Sequence, residues 1–120
     1  MSSTTPDSIT GGCNCGGVRY RIDFALGHDW KHAPHTCQCT QCRKMSGSIV
    51  VNFHTVLATE LTWLSKSTYA EYNSSAQFFR SFCMKCGSTI AWEDRTVDNE
   101  IELTVGGFDE GFLVGGRDGY

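Results

Sequence analysis

The chain of 120 residues is one domain long, and its 40% hydrophobic and 19% charged residues are the balance of a globular protein able to bury one modest core. A formal net charge of −3, with Arg43-Lys44 the one adjacent basic pair, argues against the basic face that a nucleic-acid binder carries. No apolar run approaches the roughly 20 residues needed to span a bilayer, and "MSSTTPDSIT" lacks the apolar segment of a secretory signal, so the expectation is a cytoplasmic protein with neither nucleic acid nor membrane as a partner.

Residues 1–10 are polar and read as a disordered lead-in, which leaves residues 11–120 as a single domain. In "GGVRYRIDF", Val18, Tyr20, Ile22 and Phe24 alternate with Arg19, Arg21 and Asp23, the period of a half-buried strand. A Ser-Gly-Ser turn then leads into the β-branched run "SIVVNFHTV". "ELTWLS", "TYAEYN", "QFFRSF", "STIAWED" and "EIELTVGGF" read as further strands. No segment sustains a period of 3.6 with caps, so any helix is short. Glycine pairs at 11–12, 16–17, 106–107 and 115–116 mark turns or bulges. Tyr69, Tyr72, Phe78, Phe79 and Trp92 are expected in the core. The fold class is mostly β.

Seven cysteines fall into three tight clusters: Cys13 and Cys15 in "CNC", Cys37, Cys39 and Cys42 in "CQCTQC", and Cys83 and Cys86 in "CMKC". Disulfides belong to oxidising compartments, and nothing directs the chain to one. Close local pairs suit a metal, because one turn can aim two thiolates at a single ion about 2.3 Å from each sulfur. Zinc is the expected ion, since thiolates favour it over the hard cations. A closed structural zinc takes four protein ligands and a catalytic one three, and seven is four plus three. Another partition joins the pairs Cys39/Cys42 and Cys83/Cys86 in a four-cysteine ribbon. Spacing leaves both open.

The motifs "GGCNCGGVRYRI", "HTCQCTQCRKMSGS" and "FCMKCGSTIAW", in this order, resemble the glutathione-dependent formaldehyde-activating enzyme family, whose domain is shared with centromere protein V. The resemblance runs from Gly12 to about Trp92, and "VGGFDE" is similar to the strand that follows. It implies a coiled, mostly antiparallel β fold similar to methionine sulfoxide reductase B. It also implies two zinc ions per chain: a structural one on Cys13, Cys15, Cys83 and Cys86, and a second, open one on Cys37, Cys39 and Cys42, the residues that would carry catalysis. Zn²⁺ with three thiolates has a formal charge of −1, so it is suited to holding a fourth sulfur rather than to making hydroxide. The reaction implied is the making or breaking of a carbon–sulfur bond in a glutathione or other small-thiol adduct, as in joining formaldehyde to glutathione. No other cofactor is implied. Glutathione-handling members usually have additional chain beyond the common domain, often with further aromatic and basic residues; "GFLVGGRDGY" is short and glycine-rich, so no glutathione-gripping residue is carried over to it.

Around the middle cluster, Arg43 and Lys44 are candidates to offset the negative site or to meet a substrate carboxylate. His35 is a candidate fourth ligand or proton shuttle, with His28, His32 and His54 behind it. Ser46 and Ser48 are expected to cap a turn, and no general base stands out. Two other readings compete with the lyase. A non-catalytic zinc module for protein interaction would need a closed second site, and a redox-thiol enzyme would need a cysteine free of metal.

Overall fold

The computed structural model describes residues 5–97 and 99–113. Nine strands run in chain order: β1 (Ser8–Gly12), β2 (Val18–Asp23), β3 (Pro34–Cys37), β4 (Val51–Leu57), β5 (Leu61–Lys66), β6 (Tyr69–Ser75), β7 (Phe78–Cys83), β8 (Thr89–Asp94) and β9 (Glu100–Thr104). Two short helices, α1 (Thr40–Ser46) and α2 (Glu110–Leu113), complete the set with two 3-10 turns. All pairings are antiparallel. They form a three-stranded sheet in the order β1-β2-β5 and a six-stranded sheet in the order β3-β4-β9-β8-β7-β6.

The mostly β class, the alternating strand from Val18 and the later strands stand as expected. Three expectations are corrected. The lead-in does not extend to residue 10, because Ser8–Gly12 pairs with β2 and buries Ile9 against Ile22. Its glycines are strand residues: a Cβ on Gly11 would lie 2.6 Å from the Tyr20 hydroxyl, and one on Gly12 would lie 2.1 Å from the Val18 carbonyl. Only a bare backbone can approach β2 so closely. Tyr72 is not a core residue; it is 62% exposed on β6, while Tyr69, Phe78, Phe79 and Trp92 are half-buried. The glycine pair at 115–116 lies outside the described residues.

The main core lies between the two sheets. Ile9, Val18, Tyr20 and Ile22 from one face Val56, Ile90, Ala91, Ile101 and Leu103 from the other. The opposite face of the larger sheet carries a second, smaller cluster, in which Val51 and Phe53 pack with Cys42 of α1, flanked by Cys37, Met45 and Trp92. Alternation along β4 divides these roles: His54 and Val56 point inward, while Phe53 and Thr55 point to the α1 side.

Candidate metal centres

The first cysteine pair sits in the β1–β2 turn of the smaller sheet, and the last spans the end of β7 and the β7–β8 turn of the larger one. The fold brings these turns together. One ligand atom from each of Cys13, Cys15, Cys83 and Cys86 lies within 4.8 Å of the others. The Sγ atoms of Cys13 and Cys15 are 3.6 Å apart, as are those of Cys15 and Cys83. A tetrahedron with arms of 2.3 Å has an edge of roughly 3.8 Å, so the donors fit one metal ion. All seven cysteines are free thiols.

Backbone amides hold this set in place. The Val18 amide donates to Cys13 Sγ (3.2 Å), and the amides of Lys85 and Cys86 donate to Cys83 Sγ (3.4 and 3.3 Å). Gly87, with φ of +79°, closes the second turn. Hydrogen bonds to a sulfur favour its thiolate, and the Ser88 hydroxyl and amide bring Cys86 down to about 5. For Cys83, burial raises the thiol, but the Thr68 hydroxyl and the Cys86 and Lys85 amides outweigh it and the net direction is down.

The middle cluster stands on β3 and α1. Cys37 ends β3, Cys39 is the N-cap of α1, and Cys42 faces inward from its first turn. One ligand atom from each of the three lies within 4.8 Å of the others, and among the described residues no His, Cys, Asp or Glu joins them as a fourth. The Cys39 and Cys42 amides donate to Cys37 Sγ (3.5 Å) and Cys39 Sγ (3.3 Å). The Cys42 amide, then the Cys37 thiol, lowers Cys39 to about 7, while burial pushes Cys42 up to about 11. The helix stops at Gly47, whose φ of +76° forms the C-cap. Ser46 Oγ donates to the Cys42 carbonyl (2.8 Å) and accepts from the Ser48 amide (3.1 Å), so these serines cap the turn as the sequence suggests.

His35 is not in the ligand set. Its Nδ1 lies 3.0 Å from the Ala33 carbonyl, which can only accept, so Nδ1 carries a proton. Its Nε2 lies 3.2 Å from Glu102 Oε1, a contact that requires one further proton between two acceptors. Glu102 also accepts from Thr55 Oγ1, and burial raises its carboxyl above the usual range. His35 and Cys37 share one face of β3. The His35–Glu102 contact thus lies on the face that carries the three cysteines, an arrangement that sequence reasoning missed because Glu102 is 67 residues away.

His28 and His54 form a separate buried group. Glu60 accepts from the amides of Ala25 and Leu57, and it lies 2.9 Å from His28 Nδ1. His28 Nε2 is 2.9 Å from His54 Nε2. The rings are nearly parallel at 9° with centroids 5.1 Å apart, so the short N–N contact places them edge to edge in one plane. Burial, then the neighbouring His28, pushes His54 down to about 4. His32 turns outward to Asp29. The fold brings none of the four histidines into a ligand set.

Of the basic candidates, Arg43 binds the Gln38 carbonyl (3.2 Å) and the Thr40 hydroxyl (3.3 Å) at the surface. Lys44 lines a cleft of about 550 Å³ between α1 and the β6–β8 strands. The residue sequence reasoning missed is Arg80 on β7, buried in the wall of this cleft, whose Nη1 is 3.4 Å from Cys42 Sγ. Nothing in "QFFRSF" separates it from an ordinary strand arginine.

Among the described residues, nine antiparallel strands in two sheets, with four thiols between turns of the two sheets and three at the edge of the larger, define a mostly β domain with two thiol clusters that could each hold a metal ion. The model of the glutathione-dependent formaldehyde-activating enzyme family matches residues 8–117, and the chain belongs to that family. A solved structure of a Rhodobacter sphaeroides protein is similar in fold, with a TM-score of 0.65 over 82% of this chain and 86% of that one at 21% identity. No curated protein matches. Among the described residues no helix is long and apolar enough to cross a membrane.

Proposed function

We propose that the protein is a zinc-dependent carbon–sulfur lyase acting on an adduct of glutathione or another small thiol, with two zinc ions per chain and a cytoplasmic setting. The observation that carries the reading is the three-sulfur set of Cys37, Cys39 and Cys42, with no fourth protein donor among the described residues, set against the complete four-sulfur set. A zinc ion held by three thiolates supplies a place for one more sulfur and stabilises that sulfur as a thiolate.

The chain's own residues divide the remaining work. Cys13, Cys15, Cys83 and Cys86 join the two sheets and hold the fold. The Cys39 and Cys42 amides orient the donors of the second centre. The His35–Glu102 pair holds a proton at Nε2 and Oε1 on the same sheet face as the centre, where the hydroxyl of a thiol–aldehyde adduct needs one removed or returned. The cleft beside α1 has apolar walls and two cations, Arg80 and Lys44, suited to an anionic substrate. Membranes and nucleic acids have no part in this reading. Kinship of fold with methionine sulfoxide reductase B goes with it, without that enzyme's chemistry, because all seven cysteines fall within the two ligand sets.

The test is to load the protein with cobalt(II), count metal per chain, and add glutathione while following the sulfur-to-cobalt bands. Two metals, one of which moves to four-sulfur coordination, is the expected result; screening of aldehyde–thiol adducts for turnover follows. One metal, or two that ignore added thiol, would overturn the lyase and leave a protein-interaction module.

A further inference from the structure

Arg80 is only 6% exposed, yet among the described residues no carboxylate pairs with it. Its four contacts are long and carry no fixed negative charge: Nη1 to Cys42 Sγ (3.4 Å) and Met45 Sδ (3.3 Å), Nη2 to Gln41 Oε1 (3.3 Å), and Nε to Ser74 Oγ (3.3 Å). A guanidinium stays charged at any ordinary pH, and a buried charge without a counter-charge costs several kcal/mol. The one group in its shell able to become an anion is the Cys42 sulfur. On its other side, Arg80 lines the cleft, whose wall includes a second cation, Lys44, and no acidic residue. In a chain of net charge −3, that local excess of positive charge lies where the second centre meets open space.

Resting on the reading that the three cysteines hold a divalent ion, we propose that Arg80 is the counter-charge of that centre and the positioning residue for the ligand that completes it. Three thiolates and a divalent ion sum to −1, and Arg80 brings the assembly to zero. An anionic fourth ligand then meets a neutral site instead of a negative one, and the guanidinium's cleft-facing donors can take one of its oxygen or sulfur atoms. Arg43, the basic residue next to the last ligand in sequence, is turned away and is not the residue that does this.

The test uses the full chain loaded with cobalt(II) and titrated with mercaptoacetate, a thiol that also carries a carboxylate. The proteins are the wild type, Arg80→Met and Arg80→Lys. In Arg80→Met, affinity for the thiol should fall by roughly tenfold or more, while the four-cysteine centre keeps its metal and spectrum. Arg80→Lys restores the charge without the planar fork and should recover part of that loss, which a merely structural arginine would not predict. Equal thiol affinity in wild type and Arg80→Met overturns the proposal while leaving the lyase reading intact. If Arg80→Met fails to fold, Arg80→Lys with wild-type folding decides alone: a loss of thiol affinity smaller than tenfold relative to wild type supports the charge role, and a loss of tenfold or more overturns it. A wild type that binds no metal at the second centre overturns both readings at once.

Discussion

Replacing Cys83 by Ser should strongly destabilise the domain, whereas replacing Cys39 should not. Cys83 is fully buried at the end of β7, accepts the Lys85 and Cys86 amides, and lies 3.6 Å from Cys15 Sγ. A four-thiolate zinc site contributes about 10–16 kcal/mol at neutral pH, comparable with the whole net stability of a domain, about 5–15 kcal/mol. Losing one ligand of the four, a quarter of that, costs about 2.5–4 kcal/mol, and the change puts a hydroxyl in place of a buried sulfur. At several degrees per kcal/mol for a domain of this size, the melting temperature should fall by at least about 10 °C. Cys39 is exposed, and its substitution should cost about 1 kcal/mol or less. Thermal melting followed by circular dichroism, with metal content measured on the same samples, reads both. Equal shifts in the two variants, or two metals retained in Cys83→Ser, would refute the division into a structural and an open centre.

Acid should destabilise the protein partly through His54. Its folded value near 4 lies below the ordinary 6.5, so the neutral form is favoured; the stability it contributes is complete above about pH 6.5 and is lost as pH falls toward 4. The full loss is at most about 3 kcal/mol. In denaturant titrations from pH 7.5 to 5, the gap between wild type and His54→Gln should narrow, and subtraction removes the metal loss common to both; a gap independent of pH would count against it. Gly12→Ala should cost about 1–3 kcal/mol or more, because the new Cβ would lie 2.1 Å from the Val18 carbonyl just before Cys13, whereas Gly27→Ala, in open space, should change the melting temperature little.

The strands that sequence reasoning found are those with an alternating pattern or a run of β-branched and aromatic residues. Val18, Tyr20 and Ile22 declare β2 because one face is buried and the other wet. "SITGG" was hidden, since its glycines look like a turn and make a strand only because Tyr20 lies beneath them. "PHTC" was hidden too: it is four residues of an edge strand that begins with Pro34. The cysteine chemistry was legible from local spacing. Which cluster meets which was not, because that depends on the β1–β2 and β7–β8 turns of different sheets coming together; there the family resemblance chose the grouping that the fold produces. Arg80, Glu102 and the His28–His54–Glu60 group stayed invisible for the same reason. Their partners lie between 26 and 67 residues away, and a lone charged residue in a strand carries no sign of its neighbour.

The two centres also differ in how they can be emptied. The three-cysteine set hangs on β3, the end strand of its sheet, and on a helix of seven residues, so a local opening that frays one ladder exposes it. The four-cysteine set ties turns of both sheets together and includes two buried sulfurs, Cys13 and Cys83, so emptying it takes a wider opening. If both sets hold metal as proposed, a chelator should take the ion of the three-cysteine set on the time scale of fraying and that of the four-cysteine set more slowly. On the proposed reading, a cell running short of zinc would silence this protein long before it lost it, and resupply would restore activity to chains that never unfolded.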